Sequence, residues 1–208
     1  MTVRALFLGD GPSDAPLGSH VAQLARRHGV DVDVVSPDLR RLDPPPGLRV
    51  ADRISAVFSF DDAFDLVIVH RDAEAQAPAD RAAEICAAVA SVRPSLRSVP
   101  VVPIRMTEAW LLVDETEIRR VAGRPTGAEP LNLPAIHDIE HVPDPKSVLR
   151  RALDVASGAR GRRLRAFQRD FGTYRRLLLE SLDHVGPVAT LSAWQTLEQA
   201  VESVVNEL

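Results

Sequence analysis

Asp65-Leu66-Val67-Ile68-Val69-His70-Arg71-Asp72-Ala73-Glu74 is the stretch on which the fold of this 208-residue chain turns. Four successive apolar residues, most of them β-branched, run directly into His70, Arg71, Asp72 and Glu74. A short apolar run without alternation reads as a strand buried on both faces of a parallel sheet. Ionisable side chains crowded at the end of such a strand are costly near a core unless they have partners or chemistry to perform. In open α/β sheets, ligands bind beyond the carboxyl ends of the strands. Asp72 and its neighbours are therefore the first candidate site.

Toward the N-terminus, Val3 to Leu8 reads as another strand, followed by the turn Gly9-Asp10-Gly11-Pro12-Ser13-Asp14. A helix is predicted over 15–28, with Val21, Leu24, Ala25 and His28 on one face and Gly29 as its stop. Residues 30–35 alternate strictly, which predicts a strand with one wetter face, nearer an edge. Pro44-Pro45-Pro46-Gly47 is a rigid connection, and a helix over 49–59 leads into the opening strand. Beyond Glu74, Pro78 suits a first helical turn, and Ala82, Ile85, Cys86 and Val89 share the face of a helix over 78–92. Val99 to Ile104 is the next strand, with Pro100 and Pro103 favouring an edge position or a shorter strand. Thr107 to Val113 then starts a helix with Glu108 in its first turn.

Strand and helix alternating over residues 3–122 predict an α/β core with a mostly parallel sheet of about four strands and helices on both faces. From 123 the character changes: Gly, Pro and Asn punctuate 123–135, and no β-like run follows. Leu164, Phe167, Phe171, Tyr174, Leu177 and Leu178 keep a helical period, as do Leu191, Trp194, Val201, Val204, Val205 and Leu208. Residues 1–122 are thus expected to form the α/β core, and 123–208 a loop and helical extension packed on it as one compact unit.

Composition is ordinary for a globular protein, at 45% hydrophobic and 26% charged residues. Cys86 is the only cysteine, which excludes an internal disulfide and a cysteine-based metal cluster. The first residues carry too short an apolar run for a signal peptide, and no stretch approaches the roughly 18 apolar residues of a membrane span. A soluble, cytoplasmic protein without a membrane partner is expected. The net charge of −4 conceals an asymmetry: residues 1–145 carry 15 basic and 22 acidic side chains, residues 146–208 carry 10 basic and 7 acidic. Such a balance suits either a metal site beside a polyanion-binding surface or a solvated, arginine-rich helical face.

The topology makes the acids informative. Asp10 and Asp14 follow the first strand, Asp72 and Glu74 the third, and Glu108 the fourth, so all five open on the same side of a parallel sheet. Converging carboxylates repel one another, and a hard divalent cation, Mg²⁺ or Mn²⁺ for oxygen-only ligands, resolves the repulsion. Such ions serve phosphoryl and phosphodiester chemistry by polarising phosphate and activating water. Plainer roles stand beside this one. Asp14 or Ser13 caps the first helix, Asp10 braces its turn, Glu108 favours a helix N-terminus, Glu74 is a solvated loop residue, and His70 is a hydrogen-bonded histidine rather than a ligand or base. Lys146, the only lysine, opens a predicted helix where a cation opposes the macrodipole; it and Arg162, Arg163 and Arg165 are candidate phosphate contacts.

Three motifs are excluded. The Gly9–Asp14 turn is superficially like the Gly-Asp-Gly-x-Asn-Asp loop of haloacid-dehalogenase-like phosphatases, but only eight residues precede it and their nucleophile motif is absent. The Gly-Asp-Ser block of SGNH esterases requires serine where Gly11 stands, and no P-loop occurs.

Asp10-Gly11-Pro12-Ser13-Asp14 is similar to the first Toprim motif, Glu-Gly-x-x-Asp or Glu, and His70-Arg71-Asp72-Ala73-Glu74 resembles its Asp-x-Asp motif. Thr107-Glu108-Ala109-Trp110-Leu111-Leu112, Asp144-Pro145-Lys146 and Gly161-Arg162-Arg163 resemble blocks of a Toprim-like family of bacterial proteins. Members of that family occur near ATPases in anti-phage systems, the effector of the PARIS system among them. The resemblance spans almost the whole chain and implies a Rossmann-like Toprim core. It also implies Mg²⁺-dependent nuclease chemistry related to the overcoming-lysogenisation-defect nucleases, with a role in phage defence.

Carried over by position, Asp10, Asp72, Glu108 and Lys146 would be catalytic. Asp10, Asp14, Asp72, Glu74 and Glu108 would hold metal, and Arg71, Lys146, Arg162 and Arg163 would bind phosphate. Asp10 stands where the family has Glu; either His70 stands where the first Asp of Asp-x-Asp lies, which makes it a modifier of the metal site, or Asp72 and Glu74 form the pair with Glu in place of the second Asp. The expected partners are nucleic acid and an ATPase, and a homo-oligomer is compatible with the sequence. The alternatives are a catalytically weak binding module partnering an ATPase, and a small-molecule phosphatase or phosphotransferase.

Overall fold

The computed structural model describes residues 2–208. Four parallel strands, β1 (Thr2–Leu8), β2 (Asp31–Val35), β3 (Leu66–His70) and β4 (Arg97–Val101), form one sheet in the order β2-β1-β3-β4. Helices α1 (Pro16–Arg27), α2 (Val50–Phe58) and α3 (Pro78–Val92) connect them. This is a Rossmann-like α/β fold, and the later helices α4 (Glu115–Val121), α5 (Pro145–Ser157), α6 (Gly161–Arg169), α7 (Phe171–Glu180) and α8 (Ser192–Asn206) follow it. Among the described residues no helix is long and apolar enough to cross a membrane.

The run Leu66–His70 is buried along its whole length as β3, with Ala5 to Leu8 of β1 beside Leu66 to Val69 and Leu66 to His70 paired to Arg97 to Val101. The alternating strand β2 lies at the edge, where its outer residues meet solvent. Pro100 stands on the other edge strand, where a missing N–H costs no inner ladder bond. Right-handed crossovers put α1 on one face and α2 and α3 on the other. Accordingly α2 packs on α3, and α1 on β2 and β3. Gly18, in the first turn of α1, is a close-approach residue: a Cβ there would stand 2.8 Å from Val34 Cγ1 and 3.2 Å from the Phe7 ring.

Several elements differ from expectation in detail. His28 ends α1 exposed to water rather than on its apolar face, and Cys86 is exposed on α3, whose core contacts are Ile85 and Val89. β4 begins at Arg97 and stops before Pro103, which cannot donate a ladder bond. Thr107–Leu112 is a 3-10 helix rather than the start of an α-helix; all six residues are buried, so it lacks the exposed face that periodicity detects. The apolar positions from 164 to 178 belong to two helices, α6 and α7, separated at Asp170.

The described residues divide into two compact units. The α/β unit comprises 2–71, 76–102 and 196–208; the helical unit comprises 72–75 and 103–195. The core of the α/β unit is the sheet, with Ala5, Leu6, Val67, Ile68 and Val101 wholly buried. The helical unit has its own core around Trp110 and Trp194, whose rings meet edge to face at 5.2 Å, with His184 at 5.2 Å from Trp194. Edge-to-face geometry sets the positive ring edge against the negative face and adds about 0.5–1.5 kcal/mol to the burial of two large side chains.

Candidate functional site

With strand order β2-β1-β3-β4, the connections leaving β1 and β3 run in opposite directions, which makes the carboxyl ends of these two strands the switch point where ligands bind in open α/β sheets. Leu8 pairs with Val69, and one step beyond the ladder the chain reaches Gly9 and Asp10 on one side and His70 and Arg71 on the other. His70, the last residue of β3, is 1% exposed and faces no solvent. It therefore lies in the core, at the end of an inner strand of the sheet.

The turn after β1 is held by its own atoms. Asp14 is buried, and its Oδ2 accepts a hydrogen bond from the Gly11 N–H at 3.0 Å while the Asp14 N–H donates to Gly11 O at 3.1 Å. The carboxylate therefore braces the 3-10 turn Pro12–Asp14 that precedes α1, whose N-cap is Ala15. Gly9 is required here: a Cβ would meet Phe7 Cε1 at 2.9 Å and Asp14 Cβ at 3.0 Å.

Asp10 points into water and accepts from Arg71 Nη1 at 2.8 Å, and Arg71 Nη2 donates to Leu48 O at 2.9 Å. A second guanidinium joins them. Arg53 of α2, half-buried, donates through Nη2 to Gly9 O at 2.7 Å. Burial first, and then the positive field of Arg71, lower the Arg53 pKa from the usual guanidinium value, against the pull of Asp10. Sequence reasoning assigned Arg71 a phosphate contact but passed over Arg53. A signal was present: Arg53 lies beside Ile54 and between Val50 and Val57 on a helix leading into the central strand.

In the helical unit two of the other predicted acids, Asp72 and Glu108, have partners of their own. Asp72 Oδ1 accepts from the Thr107 N–H at 2.9 Å and from Thr107 Oγ1 at 3.2 Å. It thus caps the 3-10 helix Thr107–Leu112 from a segment 35 residues earlier. Glu108 is 3% exposed and accepts from Arg175 Nε at 3.0 Å, where Arg175 of α7 is itself 9% exposed. Arg175 was legible: it shares a helical face with Phe171, Leu178 and Leu179, so a buried carboxylate had to exist for it. Glu74 is exposed with φ +53°, opposite Arg105 with φ +65°; the Glu74 N–H donates to Arg105 O at 2.9 Å. Two non-glycine residues in left-handed conformation mark this pair of loops as strained.

Lys146 is exposed in the first turn of α5, whose N-cap is Asp144, accepting from the Ser147 N–H at 2.9 Å. The Ser147 hydrogen bonds, with smaller contributions from Arg151 and Lys146, hold the Asp144 carboxyl below the ordinary carboxylate value. Arg162, Arg163 and Arg165 project from α6, a helix with no buried residue. Phe167 stacks on Tyr174 at 4.1 Å, joining α6 to α7.

For a divalent cation the donor chemistry is suitable: the predicted ligands Asp10 and Asp14 of the α/β unit, and Asp72, Glu74 and Glu108 of the helical unit, offer only oxygen. Among the described residues, no group of three or more His, Cys, Asp or Glu is placed to hold a metal ion. Arg71 engages Asp10 Oδ1, so a cation taken up by Asp10 uses Oδ2 or displaces Arg71. Compared with known proteins, the chain matches no family model, no curated protein and no solved structure.

Proposed function

We propose that this protein is a divalent-metal-dependent phosphodiesterase of Toprim type, acting on nucleic acid, with a role in phage defence. The reading is carried by one observation: at the switch point of the sheet a solvent-facing carboxylate, Asp10, stands against Arg71 with Arg53 at the adjoining carbonyl. Acid and guanidinium groups together are what phosphoryl chemistry uses, the acid for a cation and the guanidinium for the charge that develops on phosphate oxygens. Asp10 and Asp14 would hold Mg²⁺ or Mn²⁺ in the α/β unit, and the ion would polarise the phosphate and lower the pKa of the attacking water. Arg71 would orient the phosphate. The exposed Lys146, Arg162 and Arg163 of the helical unit supply contacts that position a nucleic-acid backbone without reading its sequence.

The test is hydrolysis of single- and double-stranded DNA and RNA with Mg²⁺ and with Mn²⁺, comparing the native chain with Asp10→Asn. Cleavage that falls by at least about 100-fold in the variant is expected, since even outer-shell partners of a metal cost roughly 10–100-fold when lost. Cleavage unchanged in Asp10→Asn would sink the reading.

A second reading is a polyanion-binding module without hydrolytic activity, docking on an ATPase partner. It is favoured by the structural employment of Asp72 and Glu108 on Thr107 and Arg175. Salt-sensitive binding of nucleic acid with no cleavage under either metal is its signature.

A further inference from the structure

We propose that Arg53 and Arg71 form a seat for a phosphate monoester at the carboxyl ends of β1 and β3, and that Asp10 occupies part of that seat in this structure. The inference rests on the phosphodiester reading only for its source of ligand, a phosphorylated nucleic-acid end; the anion site itself follows from charge and geometry within the α/β unit.

Each guanidinium is aimed by a backbone carbonyl: Arg53 by Gly9 O at 2.7 Å and Arg71 by Leu48 O at 2.9 Å. A guanidinium held by a fixed carbonyl has lost little further freedom when it binds an anion, so the seat is preorganised. The two cations are close enough for Arg71 to act on Arg53, and one carboxylate, Asp10, acts on both. Asp10 is the carboxylate that acts on Arg53, and it is shared with Arg71, so the half-buried Arg53 has less than a full counter-charge, a cost that a bound anion lowers.

The chemistry of that anion follows from the charge. A carboxylate adds one negative charge and already has a representative in Asp10. A phosphate monoester brings nearly two at neutral pH, enough to balance both guanidiniums once Asp10 withdraws. Withdrawal is inexpensive: Asp10 and Arg71 keep 44% and 29% of their side chains exposed, and an ion pair of that kind is worth at most about a factor of five. The forked guanidinium matches phosphate oxygens by paired charge-assisted bonds, the stronger arrangement. The plainer role for the two arginines, stapling the loops at Gly9 and Leu48, predicts no dependence on anions at all.

The experiment needs neither metal nor catalysis. Binding is measured by calorimetry in chelator, with inorganic phosphate and with one oligonucleotide in 5′-phosphorylated and 5′-hydroxyl forms, for the native chain, Arg53→Gln, Arg71→Gln and Asp10→Asn. Expected are saturable phosphate binding and a preference for the phosphorylated end. Each arginine variant should weaken both by about 10-fold or more, the loss of a charge-assisted bond. Asp10→Asn, a change at an exposed side chain, should tighten both, because a competing carboxylate is gone. Phosphate binding without preference for the phosphorylated oligonucleotide would assign the seat to free phosphate compounds and overturn the nucleic-acid source. No phosphate binding, binding indifferent to Arg53, or weaker binding in Asp10→Asn would overturn the seat. The two proposals separate cleanly: a chain that binds phosphate in this pattern but never cleaves loses the phosphodiesterase reading alone, and one that cleaves with an affinity indifferent to these residues loses the seat alone.

Discussion

Arg175 Nε donates to Glu108 Oε1 at 3.0 Å with almost no solvent around either group, and that burial governs how each behaves. Two charges removed from water are stabilised by facing each other, and neutralising one deprives the other of that counter-charge. Glu108→Gln is expected to lower the unfolding free energy by roughly 3–5 kcal/mol, while the double change Glu108→Gln with Arg175→Met recovers most of the loss. Urea unfolding of the native chain and the two variants measures both, and equal stabilities for the single and double variants would contradict the recovery. Glu108 was singled out from the sequence as a metal ligand with a helix-terminal role as the duller option, and its buried arginine partner entered neither reading. A carboxylate in the first turn of a predicted helix looks the same in one dimension whether it faces a cation, a dipole or a guanidinium.

At the scale of elements, the 3-10 helix Thr107–Leu112 owes its start to a residue outside it. The Asp72 carboxylate satisfies the Thr107 N–H, a donor that a helix cannot satisfy within itself. Asp72→Ala should therefore cost roughly 1 kcal/mol of stability for the lost cap, and Asp72→Asn, which keeps an acceptor oxygen, only a few tenths. Thermal melts of the two variants beside their hydrolysis assays divide structure from chemistry: activity lost in Asp72→Asn at near-native stability marks a chemical role, and activity that tracks stability marks a cap. The strands and α1 to α3 were legible because their apolar residues recur at 2 or 3.6, or fill a whole strand. The 3-10 helix and the break at Asp170 were not. Complete burial erases periodicity in the first, and the second falls between two helices whose apolar positions happen to continue in phase.

For the whole molecule, several carboxylates are stabilised in their ionised form by nearby donors. The Arg4 guanidinium holds Asp61 below the usual carboxylate value, Arg120 does the same for Glu117, and Ser147 for Asp144. A depressed folded-state pKa contributes stability that is present above the unfolded value, near 4, and is lost as pH falls through the folded value. The melting temperature is therefore expected to change little with these groups from pH 7 to about 5 and to fall progressively below about 4. A melting temperature that holds or rises over that acid range would contradict these pairings. Charge is distributed with the same logic: the arginines of α6 stay in water, while those of α4 and α7 that enter the core, Arg119 and Arg175, meet Glu115 and Glu108.

By itself the sequence determined the α/β class, the parallel sheet, the central place of residues 66–70, the edge position of β2 and the identity of the acids at the strand ends. All of these follow from patterns within ten residues or so, and from the rule that a continuously apolar strand must be covered on both faces. Tertiary structure alone decided what those acids touch. Asp10 meets Arg71 across 61 residues, Asp72 meets Thr107 across 35, and Glu108 meets Arg175 across 67. Strand register and helix packing bring such groups together, and neither is written in the local spacing of charges, so Asp10, Asp72 and Glu108, which read as one cation site in sequence, are each found beside a different hydrogen-bond donor in the fold.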